Sequence, residues 1–365
     1  MPMFFIVIPA VFLLIDYYIA RRFHKGIFNK APFWTIFCVF ALLTLAMLLG
    51  FMGIGGSVVK TFYAYWMGIF VYLFMFTILA DVIYIICKIF RIKAGNYLFY
   101  AGVAVLILTI ATTGYGISNA RQIDNVTYEI DINKADISDL NIVMISDVHL
   151  GAVGMETRLP EIVGRINELE PDIVCIVGDF FDTDYNSIKD PVKALEALKK
   201  ISATYGVYMC PGNHDAGATV DKMIDFVTRA GITLLNDKYV VVDNRLILAG
   251  RLDGTPIGGY NDMKRGELAE FLKDYDMTLP VIVMDHNPAR IGEYSGEVDL
   301  VISGHTHKGQ IFPASIITNL IYEVDHGYYR RDDNSPHVIV TSGVGYWGLP
   351  MRVGTDSEIV SIKIK

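Results

Sequence analysis

Charged residues are scarce in the first third of this sequence, and basic residues are scarce in the rest. Residues 1–120 carry eight Lys or Arg and two acids, Asp16 and Asp81, whereas residues 121–365 carry 23 basic and 37 acidic side chains, so the net charges are +6 and −14. The first shortage excludes an ordinary water-facing surface for residues 1–120. The second leaves no broad basic face in residues 121–365, and nucleic acid is not an expected partner, because binding a phosphate backbone demands clustered Lys and Arg. Cysteine is also scarce, with four in the chain. Cys38 and Cys87 fall in apolar segments, Cys175 and Cys210 fall in apolar runs that read as buried strands, and none has metal-site spacing. A disulfide framework is therefore not expected. An extracytoplasmic location permits a Cys175 to Cys210 bridge, and the sequence does not establish one.

In place of charge, the first third has four apolar segments, at about 3–20, 33–53, 62–90 and 97–117, each near or above the ~18 residues that cross hydrocarbon. They predict an all-α domain of four transmembrane helices over 1–120, with the lipid bilayer as its partner. A secretory signal peptide is the competing reading of the first segment, but Arg21 and Arg22 follow its apolar run instead of preceding it, which favours a retained helix. Arg21, Arg22, Lys25 and Lys30 in the first loop and Lys88, Arg91 and Lys93 in the third, against Lys60 alone in the second, put loops one and three in the cytoplasm. The N-terminus and residues 121–365 are then extracytoplasmic, with the plasma membrane the expected location. Asp16 is expected to pair with Arg21 and Arg22, and Asp81, deeper in its segment, either bonds a neighbouring helix or lines a polar cavity. No other intramembrane charge accompanies them, so a transporter or proton relay is poorly supported.

From Arg121 onward the pattern becomes α/β. Short apolar runs repeatedly end in residues that bind metals. Ile142 to Ile145 reads as a strand buried on both faces and ends in Ser146-Asp147-Val148-His149; Ile173 to Val177 ends in Gly178-Asp179, with Asp182 three residues on; the strand over 206–210 ends in Pro211-Gly212-Asn213-His214-Asp215. Val281 to Met284 ends in Asp285-His286, and Val298 to Ile302 ends in Ser303-Gly304-His305-Thr306-His307. Helices are predicted over 156–169 and 191–200, and Val126 to Ile132 alternates as an edge strand does. Taken singly, each motif is equally what a core histidine or a capping aspartate gives. Taken together, five of the chain's eight histidines stand at strand-to-loop positions, where carboxylate, imidazole and amide groups can converge above a sheet edge.

The order Asp147-x-His149, Gly178-Asp179-x-x-Asp182, Gly212-Asn213-His214-Asp215, His286 and Gly304-His305-x-His307 resembles the calcineurin-like metallophosphoesterases, over about 142–365. Thr341-Ser342-Gly343-Val344-Gly345 through Leu349-Pro350-Met351-Arg352 resembles the branch that holds bacterial exported phosphoesterases and UDP-diacylglucosamine pyrophosphatases. Lys308 departs from that branch, which more often has glycine there. The resemblance implies a four-layer αββα sandwich over 121–365 and a two-metal site: Asp147, His149, Asp179 and His307 on one cation, Asp179, Asn213, His286 and His305 on the other. Two such cations hold a phosphate oxygen and lower the pKa of a water between them, so that hydroxide attacks phosphorus. His214 is then assigned to the leaving-group oxygen with Asp215 steadying it, and Asp182 to fixing its own loop. A donor set without thiolate suits Mn2+ first, with Fe or Zn2+ as alternatives to it. The expected function is a membrane-anchored hydrolase of phosphomonoesters or phosphodiesters, among them a lipid or envelope-precursor phosphate. The alternative is a membrane sensor or binding protein that keeps the fold without catalysis. Oligomeric state is not readable, and residues 258–263 and 310–325, between ligand blocks, are where specificity is expected.

Overall fold

A computed structural model describes residues 2–92, 95–132, 134, 140–273 and 275–365, with the side chains of 2–6 outside the description. The chain divides into two compact units, Met1–Ser118 with Gly348–Met351, and Asn119–Trp347 with Arg352–Lys365.

The first unit contains, among the described residues, helices α1 (Pro2–Gly26), α2 (Phe33–Phe51), α3 (Gly56–Ile89) and α4 (Tyr97–Asn119). Of these, α2, α3 and α4 are long and apolar enough to cross a membrane, which makes this a membrane protein. Among the described residues, which leave out the side chains of 2–6, three such spans stand where four are expected. The first helix forms, with Asp16, Arg21, Arg22 and Lys25 in its second half. Ile19 and Phe23 of α1 pack with Phe70 and Leu73 of α3 and Val105 of α4. The expected pairing of Asp16 with Arg21 and Arg22 is also corrected: Asp16 is fully buried and its Oδ1 accepts from Thr44 Oγ1 of α2 at 3.0 Å. Arg22 instead reaches Asp81 of α3, at 2.7 Å, where Tyr18 also donates to Asp81 Oδ2 at 2.6 Å. Each acid thus ties two helices together, as polar groups in hydrocarbon must.

The second unit contains, among the described residues, strands β1 (Ile123–Ile130), β2 (Leu140–Ile145), β3 (Ile173–Val177), β4 (Val207–Cys210), β5 (Ile232–Leu234), β6 (Lys238–Val242), β7 (Leu246–Gly250), β8 (Val281–Met284), β9 (Leu300–Ser303), β10 (Gly327–Tyr329), β11 (His337–Val340) and β12 (Ser357–Ile364). Helices α5 (Met155–Glu168), α6 (Pro191–Leu198), α7 (Val220–Arg229), α8 (Leu268–Leu272) and α9 (Ala314–Ile321) accompany them. Two mixed sheets form, ordered β1-β12-β2-β3-β4-β5 and β10-β11-β9-β8-β7-β6.

The layering follows from the two-residue period of the strands. Ile142 and Met144 of β2, with Cys175 and Val177 of β3, meet Leu248, Ile282 and Ile302 of the other sheet in a core between the sheets. Their neighbours Val143, Ile145, Val174 and Ile176 turn the other way and bury Leu159 and Ile162 of α5, Leu195 of α6 and Phe226 of α7. On the far side, Ile247, Val281, Val283 and Val301 pack on Leu272, Tyr275, Ile291 and Tyr294. The result is the four-layer α/β sandwich, with β2, β3, β8 and β9 buried in its middle, β4 buried at its C-terminal half, and the C-terminal ends of all five delivering the motif loops. Cys175 and Cys210 are buried free thiols, so no bridge joins them.

Candidate metal centre

The backbone places the candidate ligands before any side chain acts. Asp147, His149, Asp179, His305 and His307 all have φ between 50 and 70°, a region non-glycine residues rarely occupy and one that clusters at functional sites. In that conformation the chain turns back immediately after its strand, and the side chains of neighbouring loops converge. Glycine makes the convergence possible at Gly304, where a Cβ would lie 2.0 Å from Ser146 Oγ and 2.5 Å from Asp147 Oδ2.

Two clusters result, and a third overlaps them. Ligand atoms of Asp147, His149 and His307 lie within 4.8 Å of one another, as do those of Asp179, His286 and His305, and those of His149, Asp179 and His214. Each carboxylate is held by one oxygen and offers the other. Asp147 Oδ2 takes Ser146 Oγ at 2.6 Å and the His305 N–H at 3.0 Å, while Oδ1 has no hydrogen bond and faces His307 Nε2 at 3.3 Å. Asp179 Oδ1 takes the His214 N–H at 2.8 Å, leaving Oδ2 at 3.1 Å from His286 Nε2 and 3.9 Å from His149 Nε2. Asp179 Oδ2 therefore faces a histidine of each cluster. His286 Nδ1 lies 2.8 Å from the Val177 carbonyl, an acceptor that keeps the proton on Nδ1 and leaves Nε2 for a cation. His149 Nε2 and His307 Nε2 face each other at 3.2 Å, and Asn213 Oδ1 is buried with no partner. A buried oxygen left without a donor, and two imidazole nitrogens this close, are each what a bound cation would reconcile, so the donor set fits divalent metal.

Electrostatics separates the groups. Burial pushes His149 down to about 3 and His305 to about 4, and lowers His307 as well, so these rings are neutral and able to donate lone pairs at neutral pH. Burial raises Asp147 to about 6, aided by the Asp179 charge. Burial would raise Asp179 too, but the charge and hydrogen bond of His286 override it and hold Asp179 well below the carboxylate range. In the metal-free protein, His286 is raised well above its ordinary value because Asp179 outweighs its burial.

Six of the sequence-predicted ligands, Asp147, His149, Asp179, His286, His305 and His307, fall in these clusters, and the seventh, Asn213, has its Oδ1 buried without a partner, but Asp215 takes another role than expected. Both its oxygens are taken by backbone, the Phe181 N–H at 2.8 Å and the Gly212 N–H at 2.9 Å, and it ties two motif loops together instead of steadying the His214 ring. His214 Nδ1 is buried without a partner, and its ring stands 5.0 Å from that of His149 and 6.2 Å from Trp347. Asp182 Oδ1 lies 3.7 Å from His149 Nδ1, on the far side of that ring from the cluster.

Three supporting residues were missed by sequence reasoning. Ser146 shares its O–H between Asp147 Oδ2 and the Val177 carbonyl at 2.6 Å each. Arg352, fully buried, donates Nη2 to the Ser342 and Gly345 carbonyls at 2.7 Å and Nη1 to the Asp356 carbonyl at 2.9 Å. The loop it holds takes the Asp147 carbonyl through the Gly345 N–H at 3.1 Å. Gln310 clamps the backbone of the exposed Trp347 from both sides, accepting its N–H at 2.8 Å and donating to its carbonyl at 3.0 Å. Ser146 carried a signal as a hydroxyl beside a ligand at a strand end, Arg352 as the last residue of the closing motif and Gln310 as the first of the 310–325 segment, but none announced its partners.

A family model described as calcineurin-like phosphoesterase matches residues 140–309. An uncharacterized metallophosphoesterase of Aquifex aeolicus is 34% identical over 62% of this chain and 86% of its own length, and one of Campylobacter jejuni is 30% identical over 72% and 69%. A Danio rerio protein named transmembrane protein with metallophosphoesterase domain is 32% identical over 72% of this chain. The chain spans 62% of the length of that last relative.

Proposed function

Because this chain belongs to the calcineurin-like metallophosphoesterases, we propose that it is a membrane-anchored hydrolase of phosphomonoesters or phosphodiesters that works with two divalent cations. The observation that carries the reading is Asp179 Oδ2, set 3.1 Å from His286 Nε2 in one cluster and 3.9 Å from His149 Nε2 in the other. Asp147, His149, Asp179 and His307 would hold one cation, and Asp179, Asn213, His286 and His305 the other, with Mn2+ the first choice and Fe or Zn2+ the alternatives. Bound there, the cations would supply Lewis acidity toward the phosphate and a nucleophile at neutral pH. The chain's residues do the rest. Buried neutral imidazoles keep lone pairs available, Ser146 and the His305 N–H fix the plane of Asp147, and the His214 N–H fixes that of Asp179. His214, half-buried beside His149, donates a proton to the departing oxygen of the ester.

Residues 1–120 act as the anchor, and loop charge supports an extracytoplasmic location of residues 121–365 at the plasma membrane. A tethered site favours a lipid phosphate or an envelope precursor as substrate. The test is hydrolysis of p-nitrophenyl phosphate and bis-p-nitrophenyl phosphate by the full chain in detergent. Activity is expected to vanish on chelation, to return with Mn2+, and to fall by about 10²- to 10⁴-fold in kcat for His214→Ala. A metal-loaded, folded chain with no activity on either ester would overturn the proposal.

A further inference from the structure

The helix α9 is turned inside out for a water-facing surface. Ile316, Ile317, Leu320 and Ile321 fall on one stripe of about 140° at about 100° per residue. All four are exposed, from 52% at Ile316 to 80% at Leu320, and no residue of α9 is buried. The polar stripe faces the protein: Thr318 Oγ1 donates to Asp325 Oδ2 at 2.7 Å and Asn319 Nδ2 to Asp325 Oδ1 at 3.4 Å. Residues 311–322 contain no charged side chain, and Phe312, also exposed, extends the patch.

An open apolar patch of this kind marks an interaction site. Its occupant is indicated by the rest of the chain, where three helices are apolar enough to cross a membrane, so a bilayer is the apolar phase always tethered to this unit. An apolar face flanked in sequence by aromatic Phe312 and Tyr322 has the aromatic anchors that settle at the headgroup level. The candidate centre brackets α9: His307 precedes Ala314 by seven residues, and Tyr322, immediately after the helix, sets its ring 6.2 Å from that of His305.

We propose that α9 lies in the membrane interface with Ile316, Ile317, Leu320 and Ile321 among the acyl chains, which sets the candidate centre at the bilayer surface for phosphoesters carried by lipids. The choice of substrate rests on the phosphoesterase reading; the insertion of α9 does not. The test uses the full chain reconstituted in phosphatidylcholine vesicles with or without brominated acyl chains. The added fluorescence of Leu320→Trp is expected to be quenched by brominated lipid, while that of Val192→Trp, on the exposed side of α6, is not. Equal responses of the two variants would overturn the proposal. In a second arm, Leu320→Asp combined with Ile321→Asp is expected to slow hydrolysis of phosphatidic acid in the same vesicles by about ten-fold or more, with p-nitrophenyl phosphate hydrolysed at the parent rate. Equal loss on both esters, or a change of oligomeric state without quenching at Leu320→Trp, would overturn it in favour of a structural or self-association role. A parent chain that hydrolyses neither ester would defeat the phosphoesterase reading, while the quenching would still decide α9.

Discussion

Lys308 shows how much of this site is decided by single backbone conformations. It sits at φ 51° between His307 and Gly309, with its own N–H donating to Thr306 Oγ1 at 3.1 Å. A left-handed conformation costs an L-residue about 1–2 kcal/mol that glycine does not incur. Lys308→Gly is therefore expected to stabilise the chain by about 1 kcal/mol, read as a rise in thermal midpoint, and to remove a cation from beside the candidate centre. At the same scale, the buried histidines predict an acid limit for the metal-free protein. His149, His305 and His307 are lowered in the folded state, so the unfolded chain takes up protons first as pH falls. Their contribution is complete above an ordinary histidine value near 6.5 and is lost progressively between about 6.5 and about 3. His286, raised by Asp179, and Asp147 and Asp215, both pushed up to about 6 by burial, run the opposite way and offset the loss while they take up their protons between pH 7 and pH 5. Chelated chain should thus show a thermal midpoint that falls steadily below pH 5, where the three lowered histidines of the site still take up protons more readily in the unfolded chain; a flat profile from pH 5 to pH 3 would contradict the burial argument.

Between residues and the whole molecule stand the loops and the elements that hold them. Arg352 closes the 342–345 loop behind Asp147 with bonds to carbonyls on two sides. Arg352→Met strands those carbonyls in the interior and is expected to cost about 3 kcal/mol or more. Arg352→Lys should rescue little, because one ammonium cannot reproduce a planar fork; denaturant unfolding of the two variants separates this from a simple loss of charge. Legibility in the sequence follows the same division. The five ligand loops were readable because each ends a short apolar run, and burial of β2, β3, β8, β9 and the C-terminal half of β4 in the middle of the sandwich is what that pattern encodes. Asp215 was misread because its partners are the backbone N–H groups of Phe181 and Gly212, which no residue type announces. Asp16 was misread because its nearest charges in sequence are not its nearest groups in space, and Thr44 of another helix took the bond. The last strand, β12, enters between β1 and β2, a long-range pairing that local pattern does not specify.

For the whole molecule, the balance of charge and the placement of apolar surface express one division of labour. The sparsely charged unit carries helices apolar enough for a membrane, while the acidic unit brings six candidate ligands together in overlapping clusters. The proposed chemistry requires these ligands to act as one dinuclear site that shares Asp179. Metal content per chain tests that claim most directly. After chelation, reloading with Mn2+ and removal of free ion, elemental analysis of the purified full chain should find two cations per chain, and Asp179→Asn should lose both or retain only one weakly. One cation or none in the folded parent chain, or two held equally well by Asp179→Asn, would contradict the account.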